Sequence, residues 1–114
     1  MLYTVAEIQN IVAEAQSAAH AAASLFFQEK LGGRDQYACG FAWVDIYGIK
    51  GNTKLGRAMS AAGLKKDWTG KAYQIWNPSK FPCQNVDTLE AGARAAAQVF
   101  KKYGFEAYAG SRLD

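Results

Sequence analysis

The sequence predicts an α+β or α/β fold, with three helices and a small three-stranded sheet in two layers, in the order α-β-α-β-α-β. Three observations carry that expectation. Two capping boxes, Thr4-Val-Ala-Glu7 and Asp87-Thr-Leu-Glu90, each open a run of apolar residues at three- and four-residue spacing. Between and after those runs the apolar residues alternate with period two. The chain has 114 residues, 50% hydrophobic and 20% charged, enough for one modest core and not for two. Residues 1–114 therefore read as a single domain.

The first helix starts near Val5, with Tyr3 and Ile8 as its staple, and runs through Ile8, Ile11, Val12, Ala15, Ala19, Ala22 and Phe26 to Gly32-Gly33. Its alanines form a smooth stripe suited to lying flat on a sheet or to pairing with another subunit. From Tyr37 to Tyr47 the period becomes two, placing Phe41, Trp43, Asp45 and Tyr47 on one face and Ala42, Val44 and Ile46 on the other. The small aliphatic face suits helices. The aromatic face calls for a second core layer, a partner subunit or a ligand. Further along, Leu55, Ala58, Met59 and Ala62 form one face of a short helix capped by Asn52 or Thr53. Residues 72–76 read as a second strand, and Asn77–Asn85, which holds both prolines, as a loop. Asp87 caps a third helix ending at Gly104, within which Gly92 marks close packing. Residues 105–109 read as the third strand.

Charge is distributed unevenly. Net charge is +3, yet residues 46–86 hold seven basic side chains against Asp67 alone. That segment attracts phosphates. Its centre is the turn Gly48–Arg57, where free backbone N–H groups at a helix start and the side chains of Lys50, Asn52, Thr53, Lys54 and Arg57 suggest an anion cradle. Lys54 and Arg57 oppose the helix dipole there, and a bound anion relieves the conflict. The turn lacks the Gly-Lys-Ser/Thr ending of a P-loop. In the proline loop, Trp76 and Phe81 offer stacking surfaces, Asn77, Gln84 and Asn85 offer hydrogen bonds, and Ser79 and Lys80 offer phosphate contacts, while Arg112 joins the loop in holding a base or ribose. Together with the basic turn they form the expected ligand-binding set.

No catalytic signature is complete. His20 is the only histidine, Cys39 and Cys83 lack zinc-ligand spacing and read as ordinary thiols, and Asp45 with Lys54 is the one pair suggesting acid–base chemistry. The expectation is therefore a binder, with no metal or cofactor. No apolar run approaches bilayer length, and Met1-Leu2-Tyr3 leads into the first helix without an export signal.

Several short motifs carry a resemblance: Cys39-Gly-Phe-Ala-Trp-Val44, Lys54-Leu-Gly-Arg57, Trp76-Asn-Pro-Ser79, Glu90-Ala-Gly-Ala93 and Ala107-Tyr-Ala-Gly-Ser-Arg-Leu-Asp114. Over roughly residues 37–114 the chain resembles a family of short bacteriophage proteins that mostly lack an assigned activity. The resemblance implies a viral accessory protein in a host bacterial cytoplasm. By analogy of class, small phage proteins such as the Thoeris anti-defence sponges sequester cyclic or cyclised nucleotide signals. The leading expectation is sequestration of a phosphate-bearing, nucleotide-like small molecule by a homo-oligomer. Two alternatives stand beside it. One is a single-stranded nucleic-acid binder stacking bases on Trp68, Tyr73, Trp76 and Phe81; the other is a protein-interaction inhibitor of a host defence nuclease.

Overall fold

The structure, a computed structural model, describes residues 2–114. Helix α1 spans Val5–Leu31, strand β1 Gly40–Tyr47, helix α2 Lys54–Ala61, strand β2 Lys65–Lys66, strand β3 Tyr73–Trp76, helix α3 Val86–Lys102 and strand β4 Glu106–Leu113. The α+β class holds, but the sheet has four strands in the order β2-β3-β1-β4, and every neighbouring pair is antiparallel. The expected three strands and strict α-β alternation are thereby corrected to α-β-α-β-β-α-β.

The added strand is β2, two lysines with no apolar alternation to betray them. What makes them a strand is the turn that follows. The Asp67 carboxylate accepts hydrogen bonds from the Thr69 hydroxyl and the Lys71 and Ala72 N–H groups. The Asp67 N–H donates to the Ala72 carbonyl, and the closed turn lays Lys65 and Lys66 beside Gln74 and Tyr73. The same hydrogen bonds hold the Asp67 carboxyl below the usual carboxylate range, Thr69 foremost.

At the other edge, β4 runs four residues past its expected end, because β1 offers a partner for every position from Gly40↔Leu113 to Tyr47↔Glu106. Helix α3 is capped two residues earlier than the Asp87 box suggested. Asn85 Oδ1 accepts from the Thr88 N–H, while Asp87 remains in the first turn, where a carboxylate favours the helix dipole.

Both long helices lie on one side of the sheet. Helix α3 packs over β1 and β4, and α1 packs along α3 and α2. Ala15, Ala19 and Ala23 of the α1 stripe are buried inside the chain, where α1 packs on α3 rather than flat on the sheet. A Cβ on Gly92 would sit 3.1 Å from the Ala19 carbonyl and 2.8 Å from Ser79 Cβ, so glycine sets this close approach. The core joins Ala42, Val44 and Ile46 of β1 to Ile8, Ile11, Met59, Tyr73, Phe100 and Phe105, all buried. Burial of each large apolar side chain contributes about 1.5–3 kcal/mol.

A polar clamp closes one end, where Tyr3 donates to the Tyr103 carbonyl and Glu14 accepts from both Lys102 and Tyr103. Among the described residues no helix is long and apolar enough to cross a membrane.

Candidate functional site

Period-two alternation sends every second residue of β1 away from the helices. Cross-strand register then assembles the open face of the sheet: Phe41 opposite Arg112, Trp43 between Trp76 and Gly110, Asp45 between Gln74 and Tyr108, and Tyr47 opposite Glu106. Among the described residues both long helices pack on the opposite face. Phe41 is 39% exposed, Trp76 50% and Tyr108 48%, well above what an enclosed second core layer allows.

The rings on this face are held in place. The Trp43 and Trp76 ring centroids lie 5.0 Å apart, with Phe41 6.0 Å from Trp76. Trp43 Nε1–H donates to Asp45 at 3.0 Å, Gln74 Nε2–H donates to the other Asp45 oxygen at 2.9 Å, and Trp76 Nε1–H donates to Gln74 Oε1 at 2.6 Å. Each indole N–H is thus satisfied within the sheet, leaving the ring surfaces for a ligand. Asp45 is absorbed by its two donors, and it makes no hydrogen bond or ion pair with Lys54 among the described residues. The acid–base pair expected from sequence is not assembled.

Gly110 completes the platform. A Cβ there would lie 2.5 Å from the Trp43 indole, so only glycine lets that ring lie across β4. Arg112 stands over Phe41 at 5.3 Å and Trp76 at 6.0 Å, putting a guanidinium among the rings. Toward Tyr47 the face turns acidic. The Asp45 carboxylate, then burial, then Asp67 and Glu106 push the Tyr47 phenol above its ordinary pKa.

The residues expected from sequence divide into three groups, which the fold keeps apart. Trp76 and Arg112 belong to the aromatic platform. Lys50, Asn52, Thr53, Lys54 and Arg57 follow the far end of β1, and the strand from Phe41 to Tyr47 spans roughly 20 Å. The expected site, with one ligand bridging the basic turn and the proline loop, is therefore split between opposite ends of the sheet.

Asn77, Ser79, Phe81 and Asn85 form the third group, a connector bound to the helices. The Ser79 hydroxyl donates to Asn77 Oδ1 and accepts from the Phe81 N–H, while the Ser79 carbonyl lies 3.0 Å from His20 Nδ1. Phe81 packs between His20 and Phe27 of α1. Asn85 is 1% exposed, its side chain shared among the Gln36 carbonyl and the N–H and hydroxyl of Thr88. These polar atoms serve the fold.

In the basic turn, Thr53 is the cap, accepting from the Gly56 N–H at 3.0 Å. Arg57 is exposed and donates to the Asn52 carbonyl at 2.9 Å. The conflict between this cation and the helix dipole is eased by the turn's own carbonyl, without an anion. Nearby, Gly48–Gly51, Lys66, Gly70 and Lys71 line a hollow of about 450 Å³. Lys66 there is partly committed, donating to the Ile49 carbonyl at 2.8 Å and lying over the Tyr73 ring.

The stacking residues named from sequence also change. Tyr73 is buried beneath Lys66, Phe81 lies on α1, and Trp68 stands alone at the β2–β3 turn, 96% exposed. Phe41 and Trp43 take their places. The alternation from Phe41 to Tyr47 was the signal for them, but sequence did not show that the face stays uncovered. Comparisons with protein-family models, curated proteins and solved structures return no match.

Proposed function

We propose that this protein binds single-stranded nucleic acid without catalysis, stacking unpaired bases on Phe41, Trp43 and Trp76 and meeting phosphate through Arg112 and Lys65. The observation that supports this reading is the uncovered aromatic face, whose indole N–H groups are already bonded within the sheet. A flat platform of this kind accepts successive bases of a strand, since every base has a π-face, whereas a small-molecule store needs a concave pocket. An accessory, counter-defence role in a host bacterial cytoplasm is the setting in which we place it.

The lysine-lined hollow favours a second reading, sequestration of a phosphate-bearing nucleotide signal between Lys50 and Lys71. Anisotropy of a short labelled oligothymidine, titrated at several salt concentrations, separates the two. The platform reading expects salt-sensitive binding. It also expects Trp76→Ala to cost about 1–3 kcal/mol, as for loss of one stacked base, and Arg112→Ala to flatten the salt slope by about one ion. Failure to bind any single strand at low salt, with a rise in Tm on adding mononucleotides or cyclic dinucleotides, supports the hollow instead.

A further inference from the structure

The sheet has two edges of different character. The β2 edge is two residues long and consists of lysines, a common guard against pairing with another chain. The β4 edge is eight residues long, Glu106–Leu113, and no strand among the described residues pairs with its outer side.

The parity of that edge follows from the ladder on its inner side. The Asp114 N–H donates to the Cys39 carbonyl, so the even-numbered residues of β4 turn their N–H and C=O groups toward β1. Ala107, Ala109, Ser111 and Leu113 then direct theirs outward, at an accessible edge for Ala109, Ser111 and Leu113 and beneath the chain's own side chains for the fully buried Ala107. Their side chains lie on the helix side of the sheet, and the open face of β4 carries Glu106, Tyr108, Gly110 and Arg112.

The geometry points to antiparallel pairing of β4 with β4 of a second copy, with Ala109 on the two-fold axis. Continuity of the two faces allows only registers that shift by two residues. Centred on Ala109, the register sets Glu106 opposite the second copy's Arg112 twice over, Tyr108 opposite Gly110, and Ala107 opposite Ser111. Centring on Gly110 sets Glu106 against Asp114, carboxylate against carboxylate. Centring on Tyr108 sets Glu106 against Gly110 and leaves both charges unmatched. Charge complementarity selects Ala109, whose outward groups form two main-chain hydrogen bonds across the axis; those between Ser111 and Ala107 follow once the cover over Ala107 moves aside.

The five N–H donors of Arg112 allow it to meet Glu106 of the second copy while remaining over Phe41. Lys101, whose ammonium lies 5.4 Å from the Tyr108 ring, is the nearby cation at this edge, and its flexible stem lets it move aside. The product is a continuous eight-stranded sheet with two aromatic platforms on one face.

The test is mass by light scattering at micromolar to submillimolar protein, with no nucleic acid present, so it stands independently of the binding reading. The expected mass is twice 12.4 kDa. Ala109→Pro removes an outward N–H that β1 does not use and is expected to give single chains with an unchanged circular dichroism spectrum. Glu106→Arg alone is expected to dissociate the pair, and Glu106→Arg with Arg112→Glu to restore it. A single-chain mass for the unaltered protein overturns the proposal, as does a folded Ala109→Pro that keeps the double mass. Should Ala109→Pro unfold, the charge reversals decide: a double mass unaffected by Glu106→Arg contradicts the pairing.

Discussion

The two faces of strand β1 share a backbone and differ in everything their side chains do. Ala42, Val44 and Ile46 are buried under the helices, whereas on the other face Phe41 is exposed and Trp43, Asp45 and Tyr47 are half-buried among their neighbours on the sheet. The inner face consists of aliphatic groups that need only fit. The outer face is built of large rings whose polar atoms are tied to one another, an arrangement that adds little to a core and prepares a surface for contact. Stability and binding are thus placed on opposite sides of one strand, and substitutions should separate them.

The largest effect is expected on the inner side. Phe100→Ala empties a fully buried site under β1 and should cost about 3–5 kcal/mol in denaturant unfolding, whereas Trp76→Ala on the outer side should cost less than about 1.5 kcal/mol. Equal losses would erase the distinction between the faces.

Next comes Asn85→Ala, which deletes a helix cap and a buried network together and should cost about 2 kcal/mol or more. An unchanged midpoint would return Asn85 to the ligand-binding set expected from sequence. Smaller still, Arg57→Ala should alter stability by no more than about 0.5 kcal/mol, since its guanidinium is exposed and meets one carbonyl.

The pH dependence provides a further comparison, because the α1–α3 clamp lies away from the platform. Hydrogen bonds from Lys102 and then Tyr103 lower the Glu14 pKa, and Glu14 in turn raises those of Lys102 and Tyr103. A lowered carboxyl pKa contributes stability above its unfolded value and loses it as pH falls through the folded value. The raised Lys102 pKa contributes below its unfolded value and loses that as pH rises through the folded one. Glu14→Gln should therefore flatten the melting temperature against pH at both the acidic and alkaline ends, with base binding at neutral pH unchanged. All of these groups are solvent-exposed, so the change should be small.

Much of the fold was legible because its signals are local. The Thr4 box, the Gly32 stop, the helix cap at one of the two expected residues, Thr53, and the two-residue period of β1 depend on neighbours in sequence, and they appear as expected except that β1 begins at Gly40 rather than Tyr37. What was not legible depends on distant partners. Lys65-Lys66 becomes a strand through the Asp67 turn, and residues 110–113 become one because Gly40–Trp43 lie alongside.

The candidate site followed the same rule. Trp76 and Arg112 were recognised by residue type, but their neighbours Phe41 and Trp43 are joined to them only by strand register. The register also shows the basic turn to be at the wrong end to help. Asn77, Ser79 and Asn85 look alike in sequence whether they face a ligand or a helix, and only their hydrogen-bond partners distinguish the two.

The central claim is tested most directly by observing the three indole N–H resonances while oligothymidine is added to 15N-labelled protein. Trp43 and Trp76 lie in the platform, and Trp68 stands 96% exposed at the β2–β3 turn as an internal control. The account predicts that the Trp43 and Trp76 signals shift together, with one dissociation constant, while Trp68 stays in place. Movement of Trp68 alone, or no movement of Trp43 and Trp76 at saturating oligonucleotide, would contradict it.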